Sequence, residues 1–285
     1  MLLYPNCKIN IGLRVISKRE DGYHNLETIF YPVAGLSDIL EVTPSEQFRF
    51  TQSGLVVDCA DDDNLIIKCY RRMQTHYPQI GNVDIRFTKR IPFGAGLGGG
   101  SSDAAHMAIA LNELFALGLS REQLAAEVAP LGADCAFFIY NTPCLAEGIG
   151  ERLTPIPFSL SGYRLMMFKP DIHVSTREAY AGIHLSGDQP SLAALVRGGV
   201  TPDDLVRHAD IIFNDFERTV FPLHPALAAI KQRLQDAGAM YAAMSGSGST
   251  VYGMFENDAE RRAFADYGLM DEDLSAMVLF NDTLA

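Results

Sequence analysis

Between Pro92 and Ala105 the chain reads PFGAGLGGGSSDAA, and five of the seven residues from Gly94 to Gly100 are glycine. Glycine removes side chains from a turn and admits left-handed backbone, so the N–H groups of such a segment can close on a ligand. Two serines follow, and then helix formers: Ala104, Ala105, Met107, Ala108, Ala110 and Leu111. A helix starting there points its unpaired N–H groups and the positive end of its dipole into the same space. The chemistry is that of holding phosphate.

Several kinds of phosphate loop share this composition, and their differences exclude most of them. A Walker A loop needs lysine after the last glycine, and here Ser101 follows Gly100. Gly94, Gly96 and Gly99 match the dinucleotide pattern G-x-G-x-x-G, whose acidic residue belongs at the end of a second strand about twenty positions on. Glu113 has the spacing but lies in a helical pattern with Ile109, Leu111, Leu114 and Phe115. A protein-kinase glycine loop joins two strands, whereas this one opens a helix. A flexible linker is disfavoured by Pro92 and by the alanine-rich helix beyond.

Two further candidates are a carboxylate and an amine. Asp134 follows the helix stop Gly132 and precedes an apolar run, Cys135 to Tyr140, read as a short buried strand; its carboxylate can sit at the mouth of a cleft. Lys8 falls on the polar side of an alternating first strand, Leu2 to Ser17, with Asn10 and Arg14, opposite Ile9, Ile11, Leu13 and Val15. A nearby ammonium keeps a carboxylate ionised and stabilises charge on a reacting oxygen. A buried ion pair without a catalytic part explains the same residues. Asn10, two residues beyond Lys8 on the same face, can position a hydroxyl.

The elements around these residues are an α+β mixture. Strands are expected over Ile29 to Ala34, Ile39 to Thr43, Phe48 to Thr51, Leu55 to Cys59 and Val83 to Phe87. Asp61-Asp62-Asp63-Asn64 lacks the ligand pattern of a calcium loop and reads as the cap of a helix from Leu65 to His76. Asp103 to Ala116 is the helix after the glycines, and Ser120 with Gln123 makes a capping box for Arg121 to Ala129. Beyond residue 152 come a strand at Arg164 to Phe168, helices at Thr176 to Ile183, after Thr201-Pro202, at Ala226 to Gln235 and at Asp258 to Tyr267, and strands at Tyr241 to Met244, Val251 to Phe255 and Met277 to Phe280. The order predicts two lobes, 1–152 and 153–285.

Composition agrees with an ordinary globular protein. The 285 residues are 48% hydrophobic and 20% charged, with a net charge of −12, which argues against a general nucleic-acid or anionic-membrane binder. The five cysteines are scattered without metal-ligand spacing and read as buried thiols of a reducing compartment. The first residues, MLLYPNCKINIGLRV, show no basic stretch followed by a long apolar one; a cytoplasmic protein is expected.

Three segments together resemble one family, the small-molecule kinases of galactose, homoserine, mevalonate and phosphomevalonate (GHMP kinases). They are PNCKINIGLRVISKREDGYH at Pro5 to His24, the glycine segment, and MSGSGSTVYGMF at Met244 to Phe255. The KIN and DGYH signatures, the extended GLGGGSSDAA loop and NDFE at Asn214 to Glu217 narrow the resemblance to members whose substrate carries cytidine diphosphate. The pattern expected after Asp134 is Val-Pro-Phe-Phe, where this chain has Cys135-Ala136-Phe137-Phe138.

The resemblance implies a two-lobed GHMP kinase fold: an N-terminal lobe like ribosomal protein S5 domain 2, and a C-terminal α/β sandwich lobe. It implies ATP as donor, Mg2+ as the accompanying ion with its ligands unassigned, a small-molecule cytidine-diphosphate-linked acceptor, and no nucleic-acid, membrane or obligate protein partner. Lys8 and Asp134 match the catalytic pair. Pro92, Phe93, Gly94, Ala95, Gly96, Leu97, Gly98, Gly99, Gly100, Ser101 and Ser102 match the ATP loop, where the serines either touch phosphate or metal or cap the helix. Asn64 and Lys89 are candidates near the adenine, Lys89 being otherwise a solvated strand end. Asn10, Tyr23, His24, Thr176 and Tyr180 match the acceptor site, with Tyr180 closing the other face of the cytosine; Tyr23 and His24 also suit an ordinary exposed turn. Gly246, Ser247 and Gly248 either brace the glycine loop and the substrate's phosphates or simply turn a hairpin. A mevalonate, homoserine or sugar kinase, a non-catalytic nucleotide-binding relative, and an RNA-binding protein are the competing readings.

Overall fold

The computed structural model describes residues 1–56, 63–183, 185, 190–256 and 278–284, and the chain divides into two compact units. The first takes Met1–Lys8, Pro32–Phe93 and Gly98–Thr142; the second takes Ile9–Tyr31, Gly94–Leu97 and Pro143–Ala285. Three stretches of the N-terminal half, residues 9–31, 94–97 and 143–152, belong to the second unit.

The first unit holds a sheet of β1 (Leu2–Leu3), β4 (Ile39–Pro44), β5 (Arg49–Gly54) and β6 (Val83–Lys89), in the order β1-β4-β6-β5. β4 runs antiparallel to β6, and β5 parallel to it with Gly54 opposite Lys89. The β5–β6 crossover contains α1 (Leu65–His76), started by Asn64, whose Oδ1 accepts from the Ile66 N–H at 2.9 Å. The expected strand from Leu55 is absent at Leu55 and Val56; its remainder, with Asp61 and Asp62, lies outside the described residues.

α2 spans Gly99–Leu114 and begins four residues earlier than the composition suggested, so two glycines form its first turn. Ala104, Ala105, Met107, Ala108 and Leu111 are all buried, and small side chains let α1, α3 (Arg121–Val128), α4 (Cys135–Tyr140) and β4 approach the helix from several sides. The capping box of α3 is formed as expected. α4 corrects the strand expected over Cys135 to Tyr140. An apolar run this short carries no decisive period; every residue from Cys135 to Ile139 is buried, and Asn141, left-handed at φ 49°, closes the helix.

β2 (Asn6–Lys18) and β3 (His24–Ser37) each run through both units, and form a sheet with β7 (Cys144–Gly148) and β8 (Arg152–Pro155) in the order β2-β3-β7-β8. The alternation in β2 does not separate core from solvent, because every residue from Asn6 to Val15 is buried. Its polar residues each take a partner instead: Asn6 with Asn141, Lys8 with Asp134, Asn10 with Thr28 and Arg14 with Asp215.

The second unit's other sheet is antiparallel, in the order β10 (Tyr241–Met244), β11 (Val251–Phe255), β9 (Arg164–Phe168), β12 (Val278–Thr283). Its helices are α5 (Thr176–Ala181), α6 (Leu192–Arg197), α7 (Asp204–Arg207), α8 (Glu217–Leu223) and α9 (Pro225–Asp236). Leu227, Ile230 and Leu234 of α9 form one stripe against Met166, Phe168, Met244 and Val251. The helix expected over Asp258 to Tyr267 lies outside the described residues. No described helix is long and apolar enough to cross a membrane.

Candidate active site

Strand β2 carries the Lys8 side chain into the first unit, where Nζ lies 3.4 Å from Asp134 Oδ2 at the start of α4. The lysine side chain is 4% exposed and the aspartate 29%. A sealed ammonium thus faces a carboxylate that solvent, or a substrate, can still reach. Gly98 locks this pair to the loop. Its φ is +69°, and a Cβ there would lie 2.9 Å from Phe138 Cζ of α4 and 3.2 Å from Lys8 Cε.

Gly94, Gly96 and Gly98 all have positive φ, at +64°, +76° and +69°. Alternation of left-handed and ordinary residues curls successive N–H groups to one side, the geometry of an anion nest. Helix α2 follows at once, with Gly98 as its N-cap and no side-chain cap bond. That settles the capping alternative for the serines. Ser102 is fully buried with Oγ 3.4 Å from His106 Nδ1, so only Ser101, half-buried, remains available from the pair. The uncapped first turn leaves backbone donors for a ligand.

Lys89 is not a solvated strand end. The buried phase Val83, Ile85, Phe87 continues one step further and turns Lys89 inward. Its ammonium is held by Asp38 and, at 3.1 Å, by Asp103 of α2. The other Asp38 oxygen accepts the N–H groups of Arg90 and Ile91 at 2.5 and 2.8 Å. Burial first, and then Asp38 against the opposing pull of Lys89, holds the Asp103 carboxyl well above the usual carboxylate range. Two carboxyl groups thus converge on one buried ammonium, and the lysine's charge is spent internally. Asn64 and Lys89 nonetheless line one small cavity, with Leu65, Phe87, Phe93 and Gly100. Asp38 and Asp103 were missed by sequence reasoning; following the period of β6 through residue 89 would have demanded a buried anion.

In the second unit the turn between β10 and β11 closes as a hairpin, and the residues flanking its glycines, Ser245 and Thr250, reach the glycine loop. The Gly248 N–H donates to Ser245 O at 3.0 Å, closing the turn. Ser245 Oγ donates to Gly96 O at 2.9 Å and accepts from the Asn10 N–H at 3.2 Å, and the Thr250 N–H reaches Ala95 O at 3.3 Å. Asn10 Nδ2 donates to Thr28 Oγ1 at 3.1 Å. His24 stacks on Tyr180 with centroids 4.6 Å apart at 17°, and Tyr180 meets Phe216 edge-on at 4.7 Å. The two rings expected to enclose a base are thus in direct contact, so a base enters between them only by parting them. Tyr23 stands apart from this stack's burial, 61% exposed. Burial, helped by the charge of Lys18, lowers the His24 pKa and favours the neutral ring. Thr176 Oγ1 lies 3.4 Å from Ser247 Oγ, joining α5 to the turn.

Two family models match the chain: the GHMP kinases N terminal domain over residues 64–142 and the GHMP kinases C terminal domain over 191–267. The 4-diphosphocytidyl-2-C-methyl-D-erythritol kinase of Bacteroides thetaiotaomicron is 49% identical over 260 residues, 90% of this chain and 92% of that one. The kinase of the same name from Porphyromonas gingivalis is 42% identical, again across 90% and 92%. Among solved structures, a 4-(cytidine 5'-diphospho)-2C-methyl-D-erythritol kinase superposes with a TM-score of 0.78 at 31% identity, covering 100% of this chain and 99% of that one. The homoserine kinase of Cytophaga hutchinsonii, at 16% identity and a TM-score of 0.65 over 98% and 94%, shares the fold. With both family models in sequence order and relatives this similar along nearly its whole length, the chain belongs to the GHMP kinases, in the group of the 4-diphosphocytidyl-2-C-methyl-D-erythritol kinases.

Proposed function

We propose that this chain transfers the γ-phosphate of ATP to the 2-hydroxyl of 4-diphosphocytidyl-2-C-methyl-D-erythritol, a step of the non-mevalonate route to isoprenoid precursors. The observation that carries the reading is the Lys8–Asp134 pair packed against Gly98 of the anion-binding loop. Phosphoryl transfer asks for held phosphates, an aligned acceptor and neutralised charge rather than covalent help. The N–H groups of Gly94 to Ser101 and the start of α2 hold the phosphates. The Asp134 carboxylate accepts the hydroxyl proton late, as the acceptor oxygen becomes acidic on attacking phosphorus. Lys8, 3.4 Å from that carboxylate, offsets negative charge on the reacting oxygen.

The cavity beside Asn64, Leu65 and Phe93 suits the adenine, with Lys89 supporting its floor rather than meeting phosphate. Tyr23, His24, Tyr180 and Thr176 suit the cytidine diphosphate, and Asn10 with Gly246, Ser247 and Gly248 the acceptor's hydroxyl and phosphate groups. Among the described residues no three His, Cys, Asp or Glu side chains gather as a metal cage. Ser101 is the protein hydroxyl that would be offered to a magnesium ion arriving with the nucleotide, and such an ion would supply positive charge to the β- and γ-phosphates.

Release of ADP from the purified chain, measured by a coupled assay, tests the reading. Turnover is expected with the cytidyl substrate and not with mevalonate or homoserine. Turnover of either of these, with none of the cytidyl compound, refutes it.

A further inference from the structure

The segment Asn214-Asp215-Phe216-Glu217 has no place in the chemistry above, yet its polar side chains are largely buried and all are engaged. Asn214 is 1% exposed. Its Nδ2 donates to Met244 O at 2.7 Å and to Gly246 O at 2.8 Å, while Oδ1 accepts the Phe216 N–H at 2.9 Å. The backbone on either side is stitched to β2: the Leu13 N–H donates to Phe213 O at 2.9 Å, and the Asp215 N–H to Leu13 O at 2.8 Å. Asp215 Oδ2 takes the Val15 N–H at 2.8 Å, and Glu217 Oε1 takes the Met244 N–H at 2.8 Å. One short segment thus holds the strand that carries Asn10 and the turn that meets Gly96.

We propose that Asn214 is a positioning residue: by gripping the carbonyls of Met244 and Gly246 it sets the Ser245–Gly248 turn at the height from which Ser245 fixes Gly96 of the phosphate loop and the backbone of Asn10. The amide is the side chain suited to this place. It offers two N–H donors to two carbonyls and an acceptor to an N–H within one planar group. Ser245 carries the effect onward, its single hydroxyl donating to Gly96 O and accepting from Asn10 N–H. Asn214 touches no reacting atom and acts through the turn. The inference concerns how the proposed site is aligned, and so rests on the kinase reading for its kinetic consequence only.

Three variants and a control test it. Asn214→Asp keeps the shape and the acceptor but loses both donors. Asn214→Gln keeps the donors on a stem one methylene longer. Ser245→Ala leaves the bonds of Asn214 intact and cuts the onward link. Asn112→Ala removes a comparable side-chain bond, to the Leu119 N–H at 2.9 Å, in the first unit away from the loop. Each of the first three is expected to lower kcat by about 30- to 100-fold, the scale of an alignment error near 1 Å, with the KM for ATP within a few-fold of wild type and the control turning over normally. Hydrogen exchange read by mass spectrometry gives a second, substrate-free measure: peptides over 94–98 are expected to exchange faster in all three variants and unchanged in the control. Wild-type kcat in Asn214→Asp, or unaltered exchange over 94–98 in Ser245→Ala, overturns the proposal. If position 214 tolerates no change, the Ser245→Ala exchange decides. If the wild-type chain fails to phosphorylate the cytidyl compound, the substrate reading falls and the exchange result still stands for or against Asn214.

Discussion

Replacing Gly96 with alanine is the sharpest perturbation of the phosphate loop, and its cost follows from geometry. The residue sits at φ +76°, and a left-handed non-glycine residue costs about 1–2 kcal/mol. The new Cβ would lie 2.9 Å from the carbonyl carbon of Ser245, nearer still to its oxygen, and 3.3 Å from Gly248 N. These are backbone atoms of a buried turn and have no rotamer to change. The loop must lift, and lifting gives up the Ser245–Gly96 and Thr250–Ala95 hydrogen bonds, about 1 kcal/mol each. The total is about 3–4 kcal/mol, which for a chain of this length lowers Tm by roughly 5–8 °C. Displacing a phosphate-binding backbone by about 1 Å costs about 100-fold in turnover. Thermal melts and coupled ADP release on the same preparation read both effects. Gly100→Ala is the internal reference. Gly100 has no positive φ, and its Cβ would meet only Leu65 Cδ1, at an ordinary 3.5 Å. Inside the first turn of α2 it is expected to stabilise by about 0.5–1 kcal/mol. A Gly96→Ala protein that melts within 1 °C of wild type (about 0.5 kcal/mol for this chain) and turns over normally would show that the loop is not pinned by that turn.

Asp134→Asn is expected to bind nucleotide as wild type does, by calorimetry, and to lose about 100- to 10,000-fold in kcat; normal turnover would remove Asp134 as the base. His24→Ala is expected to raise the KM for the cytidyl substrate about tenfold, through lost stacking worth about 1 kcal/mol or more, and to leave the KM for ATP alone; a change confined to ATP would misplace the base-binding end. Asp103→Asn tests the buried carboxyl. The folded carboxyl is held above its ordinary 3.8, so above that pH the native state binds a proton that the unfolded chain has released. Stability then falls as pH rises through the folded value. The amide mimics the protonated acid at every pH, so urea unfolding between pH 4 and 8 should show a shallower decline in the variant than in wild type. Equal slopes would mean that Asp103 is ionised in the fold.

What the sequence disclosed and what it withheld divide along a physical line. The glycine run was legible because left-handed turns and close backbone approach demand that residue type locally, and Gly94, Gly96 and Gly98 carry it out. The caps at Asn64 and Ser120 were legible for the same reason. α4 was not, since six apolar residues in succession satisfy a buried strand and a buried helix equally. The solvated strand end weighed as the alternative for Lys89 fails, because the strand's own phase has one step left to run.

The row in β2 shows why the rest needed the fold. Polar residues on alternate positions are the usual sign of a wetted face, and local pattern carries no trace of what lies opposite. Their partners are 135 residues away for Asn6, 18 for Asn10 and 201 for Arg14. Burying an unpaired ammonium or guanidinium is prohibitive, whereas burying it against a fixed carboxylate orients both groups. A strand of this kind is therefore itself the record of a site: wherever polar side chains keep the core's phase, distant segments must be brought to meet them. In β2 those segments are Asn141 and Asp134 beside α4 for Asn6 and Lys8, and the Asn214–Glu217 stretch for Arg14. The same reasoning makes NDFE intelligible, as the counterpart that the buried polar face of β2 requires rather than as a motif that touches substrate.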